Sequence, residues 1–535
     1  MEGNLDYKVC ILAAGKGSRM NNLAKDLHKS LLPLNNKPII SHILEAFPLD
    51  IEIVIAIGYN KDLLKQYLSV AHWDRKITFV EVDNYEGPGS GPGYSMLQCK
   101  KHLQCPYILD AVDTIVMEKI PPPDHDWFGI AEINPIETER YCTARLEGDL
   151  VVHLDDKMKC NNKYAYIGLA GIYNYDLFWD SLESNKFLVK NESQVINGFY
   201  SILNRRKLHA INFTWYDTGT EQNYLETAEK FGKTFTPLEK TNESIFFVNG
   251  LVVKYFSDKV MVSDRVLRTK ILVPFCPEIT KVTDNFYAYK FVEGIPLSKA
   301  LNDPLFMEFL KWSNKYFWLK KNLTEKQKKV FRESCVDFYK NKTLRRVEQF
   351  YQTTKLKDCE EIINGYKVPK LSELMEKIDW EYMSYGIAVN FHGDYFIENI
   401  IYQDSEITGG NPNFVLIDWR QNFEGIIEYG DIYYDLAKLN HGIKFSHDMI
   451  RKNLFDVVID GHNICLNYGN YNTLIDCQRV LRNFVQKNDY DYKKVEIISA
   501  LIYLNIAPLH AHPYGMFLYY LGKLYLHQIL GGDSY

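Results

Sequence analysis

Along residues 7–232, apolar and polar positions follow the rhythm of strand, turn and helix. Residues 7–12 (YKVCIL) form a short β-rich run that ends at a glycine turn. Residues 39–47 carry helical spacing, and residues 51–57 (IEIVIAI) are apolar on both faces before Gly58, as a buried parallel strand requires. Residues 62–67 predict a helix, residues 77–82 a strand and residues 107–109 another short strand. Strands of this kind alternating with helices predict a parallel α/β sheet. Ligands of such sheets sit at the carboxyl ends of the strands.

The pattern changes in the polar stretch 231–241 (FGKTFTPLEKT), which predicts a boundary between a domain over 1–235 and one over 243–535. The second begins with two β-rich runs, SIFFV and LVVKYF, joined through Asn249-Gly250. Both central positions of a type I′ turn need positive φ, so this dipeptide predicts a hairpin. Leu, Phe and Tyr then recur at helical spacing over 303–381, residues 414–417 (FVLI) predict a strand, and 456–535 return to helix. A small β-rich lobe (243–300) ahead of a large helical lobe (301–535) is the order of a kinase-like fold.

A chain of 535 residues is too long for one ordinary core, which agrees with this division. With 62 Lys and Arg against 68 Asp and Glu the formal charge is −6, so no global attraction to nucleic acid or anionic lipid is expected. No basic stripe interleaved with aromatics marks a nucleic-acid surface. The ten cysteines fall outside any CxxC or zinc-ligand spacing and predict reduced thiols. No apolar run reaches a membrane span, and the first residues do not resemble a signal peptide. The expectation is a cytoplasmic protein with small-molecule and nucleotide partners; homo-oligomerisation is left open.

The first candidate site is Leu12-Ala13-Ala14-Gly15-Lys16-Gly17-Ser18-Arg19, directly after a strand. Small residues let backbone N–H groups approach an anion, and Lys16 and Arg19 add positive charge. The run is neither a Walker A loop nor GxGxxG. LAAGKGSRM followed by HKSLLPLNNKPII resembles the nucleotidyltransferases that join a nucleoside triphosphate to a sugar-1-phosphate or to phosphocholine, with His28 where that family has Pro. The resemblance implies that Leu12, Ala13, Ala14, Gly15, Gly17 and Ser18 bind nucleotide, that Arg19 holds the triphosphate and that Lys29 contacts phosphate, the last two counted as catalytic. Joining two anions needs a divalent cation, commonly held by two carboxylates. In the family's pattern Asp113, after an apolar strand, and Asp217, in DTGT ahead of YLETAEKF, hold Mg²⁺; Asp110 is the neighbouring alternative to Asp113. Lys157 and Gly168 resemble acceptor-side positions of the sugar enzymes. Residues 87–95 (GPGSGPGYS) stand where the base is read and leave CTP against UTP open.

The second is VNFHGDYFIENI with FVLIDWR. Asp394, Asn399 and Asp418 there resemble the HGDxxxxN and IDW motifs of the aminoglycoside-phosphotransferase and choline-kinase superfamily. One carboxylate takes or orients the proton of a substrate hydroxyl, while an amide and a second carboxylate hold Mg²⁺ against ATP. The resemblance makes Asp394 the base and Asn399 and Asp418 metal ligands. It aligns Lys254 with the small-lobe lysine on ATP phosphates, with Asp264 as the nearest acidic partner, and reads Asp435 as a buried structural carboxylate.

Together the two resemblances imply an α/β protein: a Rossmann-like, GT-A-like nucleotidyltransferase domain with a mostly parallel sheet, and a bilobal α+β domain of protein-kinase type. They imply a bifunctional enzyme. One domain phosphorylates a small sugar or amino alcohol with ATP; the other transfers a nucleotidyl group from CTP or UTP onto that phosphate. The product would be an activated precursor of surface polysaccharide. The alternative is a nucleotidyltransferase carrying a non-catalytic pseudokinase module.

Overall fold

The computed structural model describes residues 6–24, 27–232, 242–410 and 413–531. By packing, the chain divides into one unit of residues 1–259 with 280–291 and a second of 260–279 with 292–535. The stretch 233–241, where a boundary was expected, lies outside the described residues. No helix among the described residues is long and apolar enough to cross a membrane.

The first unit is built on a nine-stranded mixed sheet. Lys8–Ala13, Glu52–Ile57, Ile77–Glu81 and Tyr107–Ala111 form a run of four parallel strands in it, with Lys8–Ala13 between Glu52–Ile57 and Tyr107–Ala111. Helices Ile39–Glu45 and Lys61–Ala71 lie between them in sequence. Side chains of the first strand alternate between two cores: Val9 and Ile11 enter one, Cys10 the other.

The expectation of a mostly parallel sheet holds for these four strands and for His209–Asn212 beside Trp127–Glu132, and fails for the remaining pairings. Tyr164–Ile172 runs antiparallel to Tyr107–Ala111, and Cys142–Glu147 pairs antiparallel with Leu150–Asp156. The turn between the last two is only Gly148 and Asp149 long, and so short a connection permits no parallel pairing.

The hairpin forms as its turn chemistry predicts. Glu243–Val248 pairs with Leu251–Phe256, and Asn249 and Gly250 take φ of 51° and 70°. Phe286–Lys290 adds to the Leu251–Phe256 edge. This small sheet does not stand apart from the first one. Phe246, Val253, Tyr255 and Phe286 share a core with Leu64 and Tyr67 of helix Lys61–Ala71. The Tyr67 ring meets Phe246 and Phe286 at 5.7 and 5.8 Å. Gln66 Oε1 accepts from the backbone N–H of Asn285 at 2.9 Å.

The second unit is mainly helical, including Asp303–Trp312, Glu325–Val336, Lys342–Thr354, Ile432–Lys444, Asn472–Lys487, Tyr492–Ile506 and Tyr514–Gly531. Ile400–Gln403 and Asn413–Leu416 form a hairpin. The expectation of helix from residue 456 is corrected: Phe455–Asp460 and Asn463–Tyr468 are antiparallel strands, and helix resumes at Asn472. Ile464 and Leu466 are buried while Asn463, Cys465 and Asn467 are exposed, a period of two that no helix face satisfies.

Candidate active sites

The first site forms at the carboxyl ends of Lys8–Ala13 and Tyr107–Ala111. Ala14 O accepts from Tyr59 N at 3.0 Å, fixing the glycine loop where it leaves the strand. Gly15, Ser18 and Arg19 are exposed, and Gly17 lies against the Lys29 stem, where an added Cβ would sit 3.1 Å from Lys29 Cβ. His28 is buried beneath the loop. Its Nε2 reaches Ala13 O at 3.0 Å and its Nδ1 reaches Ser30 Oγ at 2.7 Å. Burial pushes the imidazole down to about 4, so it stays neutral and ties the strand end to the turn bearing Lys29.

Lys29 Nζ donates to Asp113 Oδ2 at 2.9 Å. Asp217 ends strand Trp215–Asp217, which pairs antiparallel with Thr114–Val116 and so carries it alongside Asp113. Thr218 N and Oγ1 both donate to Asp113 O, at 2.9 and 3.1 Å. A methyl group on Gly219 would lie 3.0 Å from Asp217 Oδ1 and 3.2 Å from Asp113 Oδ2, so the two carboxylates flank one point. Tyr141 Oη and Asn223 Nδ2 donate to Asp217 Oδ2. Sequence reasoning did not single out either residue.

The two acids are held in opposite senses. Burial raises the Asp113 carboxyl, but the Lys29 ammonium, its hydrogen bond and the Arg19 charge outweigh this and hold it below the carboxylate range. Burial and then the Asp113 charge push Asp217 up. A divalent cation between them would relieve that repulsion, so the donor set fits Mg²⁺. Asp110 is different: it lies inside the sheet, paired in register with Ile11 and Leu169, and is 3% exposed. Among the described residues its Oδ1 has no hydrogen-bond partner, and burial, then the Asp113 charge, push its pKa well up, favouring the neutral acid.

Gly168 sits against the turn bearing Asp113, and a Cβ there would fall 2.7 Å from Ala111 Cβ; its φ of +85° also calls for glycine. Lys157 Nζ donates to Gln194 Oε1 at 3.0 Å, and its backbone N–H bonds Tyr141 O, one residue's length from the Tyr141 hydroxyl on Asp217. In the same unit Lys254 lies 3% exposed on Leu251–Phe256, opposite Ile245 and Tyr287.

The second unit brings Asp394, Asn399 and Asp418 together. Asn399 Nδ2 donates to Asp394 Oδ2 at 3.1 Å and to Asp394 O at 3.0 Å. Ile417 N bonds Asn399 O at 2.9 Å, which sets Asp418 beside it. Asp418 holds φ at 59°, a left-handed conformation that costs a non-glycine residue about 1 kcal/mol. Two cations not foreseen from the sequence meet these acids: Lys438 reaches Asp394 Oδ1 at 2.8 Å, and Arg265 reaches Asp418 Oδ1 at 2.8 Å. Asp264 instead accepts from Asn422 at 2.9 Å. Asp435 is fully buried and accepts from His392 N, Gly393 N and Trp318 Nε1 at 3.0, 2.8 and 3.2 Å, fixing the loop ahead of Asp394. Burial raises it to about 7.

Residues 9–118 match the MobA-like NTP transferase domain. The chain is 25% identical over 250 residues to the bifunctional protein GlmU of Methanocaldococcus jannaschii, a match that covers 45% of this chain and 59% of the relative. It is 26% identical over 108 residues to the UTP–glucose-1-phosphate uridylyltransferase AglF of Haloferax volcanii, covering 20% of this chain and 42% of that protein. The chain therefore spans about three fifths or less of the length of these curated relatives. Among solved structures it is similar to a UDP-glucose pyrophosphorylase complexed with UDP-glucose, with a TM-score of 0.37, 19% identity, and coverage of 42% of this chain and 98% of that one. A UTP-bound UGPase from Acinetobacter baumannii aligns with a TM-score of 0.36 and 11% identity, covering 42% and 93%.

Proposed function

We propose that the first unit transfers a nucleotidyl group from a pyrimidine nucleoside triphosphate, CTP or UTP, onto a phosphate monoester and releases pyrophosphate. The observation that carries this is the convergence of Asp113 and Asp217 on one point, with Lys29 on Asp113 and the glycine loop against Lys29. The match to an NTP transferase domain supports the same chemistry, and the similarity to a uridylyltransferase of glucose-1-phosphate supports a sugar-1-phosphate as acceptor. In this reading Asp113 and Asp217 hold Mg²⁺, which would neutralise the approach of two anions when bound. Lys29 contacts the phosphates, Arg19 and the loop amides from Gly15 to Ser18 cradle the triphosphate, and Lys157 and Gly168 border the acceptor. Pyrophosphate release should be measured for each of the common nucleoside triphosphates against sugar-1-phosphates, phosphocholine and phosphoethanolamine. One strong combination, abolished by Asp217→Asn, supports the reading; release that survives Asp113→Asn and Asp217→Asn refutes it.

The second unit is read as an ATP-dependent kinase of a small hydroxyl compound, supplying the ester that the first unit consumes. The packing of Asp394, Asn399 and Asp418 at hydrogen-bond range, with Asp435 fixing the loop, favours this over a non-catalytic module. In this reading Asp394 receives the hydroxyl proton, and Asn399 and Asp418 hold Mg²⁺. The activated product would feed a surface polysaccharide. ADP formation lost in Asp394→Asn and Asp418→Asn tests it; acceptor-dependent ADP formation by both variants sinks it.

A further inference from the structure

The second unit contains a cavity of about 360 Å³ lined by Lys342, Arg345, Arg346, Gln349 and Glu424, enough for a small metabolite. Three cations of helix Lys342–Thr354 thus face one space with one acid. Arg420 joins them: its guanidinium and the Lys342 ammonium both stand over the Phe338 ring, at 4.9 and 4.1 Å. Arg420 is two residues beyond Asp418, and its backbone N–H bonds His392 O at 2.9 Å, so the cluster borders the loop that carries Asp394. Among the described residues the hydrogen bonds of these side chains go to neutral groups, Arg346 to Gln349 Oε1 at 3.1 Å and Arg420 to Asn422 O at 3.2 Å. The crowding has a cost. Burial and then Arg420 drive the Lys342 ammonium well below its usual range; the Glu424 carboxylate opposes this, and Arg346 and Lys438 add to it. Burial, Arg420 and Arg345 act likewise on Arg346.

We propose that this cavity is the acceptor site of the second unit and that the acceptor is an anionic hydroxyl compound, bearing a carboxylate or a phosphate that Lys342, Arg346 and Arg420 bind while its hydroxyl faces Asp394. The proposal rests on the kinase reading above. In the reaction the hydroxyl oxygen forms a bond to the γ-phosphorus of ATP. The bond from that phosphorus to the β,γ-bridging oxygen breaks, its electron pair leaves with ADP, and Asp394 receives the hydroxyl proton. A cationic alcohol such as choline meets repulsion in this cavity.

The test uses the full chain with ATP and Mg²⁺. ADP formation is measured with choline and ethanolamine, glycerol and glucose, glycerate and glucuronate, and glycerol 3-phosphate and glucose 6-phosphate. Turnover confined to anionic acceptors is expected, the carboxylate and phosphate arms telling the two sources apart. Lys342→Met and Arg346→Gln should each raise KM for the anion by roughly tenfold, with KM for ATP within about twofold. Arg345→Gln, which removes an exposed cation lining the same cavity, should raise that KM in the same direction, and with Arg346→Gln it keeps the test open if Lys342→Met misfolds. Turnover of choline or glycerol with KM unmoved by these variants overturns the proposal and leaves the kinase reading intact. Calorimetric titration of glycerate and glycerol 3-phosphate without ATP separates the other case. Binding that the variants lose, with no turnover of any alcohol, upholds the anion site and refutes the kinase reading; no binding of either anion overturns the site.

Discussion

Gly219→Ala places one methyl group between the two acids of the first site. Its Cβ would lie 3.0 Å from Asp217 Oδ1, 3.2 Å from Asp113 Oδ2 and 3.6 Å from Asp113 Cγ. Gly219 has no positive φ, so the backbone accepts alanine without strain. The Gly→Ala change itself stabilises by about 0.4–1 kcal/mol through the unfolded chain. The tight contacts oppose this, and net stability should stay within about 1 kcal/mol of the parent. Function should not be spared. The carboxylates must retreat by a few tenths of an ångström, and Asp217 Oδ1 is already tethered to Gly219 N at 2.7 Å. Mg²⁺ demands near-ideal geometry at roughly 2.0–2.1 Å, and displacements approaching 1 Å cost about a hundredfold in rate. The expected result is a ten- to hundredfold fall in kcat/KM for pyrophosphate release, with a higher Mg²⁺ concentration at half-saturation and an unchanged melting curve. A folded variant with kcat/KM and Mg²⁺ dependence within twofold of the parent would refute the assignment of both acids to one metal.

Asp110→Asn separates the buried acid from the site acids. Because folding raises the Asp110 pKa, its contribution to stability is fully present below the unfolded value, about 3.9, and is lost as pH rises toward the folded value. The variant's melting temperature should therefore match the parent near pH 4 and exceed it by a few degrees at pH 8. Pyrophosphate release should persist; its abolition would make Asp110 a metal ligand after all. Lys29→Met leaves the burial of Asp113 opposed chiefly by the Arg19 charge, so destabilisation of roughly 1–3 kcal/mol at neutral pH, discounted for partial exposure, should accompany an acid limb of activity shifted to higher pH; a denaturant titration and a pH–rate profile check both. Asp435→Asn turns an amide donor toward groups that donate to Asp435, and should cost about 1–3 kcal/mol. ADP formation should drop in kcat more than in KM for ATP, and equal effects on both would argue against a positioning role.

What the sequence made legible was local. The first strand, the Asn249-Gly250 hairpin and the order of the loop, lysine and acids follow from short patterns whose physics acts within a few residues. The partners of the acids were not legible, because they meet across long separations. Tyr141 reaches Asp217 from 76 positions away and Arg265 reaches Asp418 from 153. A tyrosine or an arginine on a regular element carries no mark of such a partner. The antiparallel half of the first sheet was missed because strands such as Tyr164–Ile172 are as apolar as parallel ones; neighbours in the sheet, not composition, decide direction. The strands at 455–468 were absorbed into a helical reading because the flanking segments are helical.

The small sheet that shares a core with helix Lys61–Ala71 has a consequence for synthesis and for ligand response. As the chain leaves the ribosome, part of the Leu64 and Tyr67 surface stays uncovered until Phe246 and Phe286 have emerged, so the first unit cannot complete its packing at residue 232. Cutting the gene at that point would release a fragment with an exposed hydrophobic face. Once folded, the strand that carries Lys254 belongs to the same packed unit as the glycine loop. If nucleotide binds at that loop as proposed, amide hydrogen exchange in the Lys254 strand should slow by mass action alone, with no movement of either.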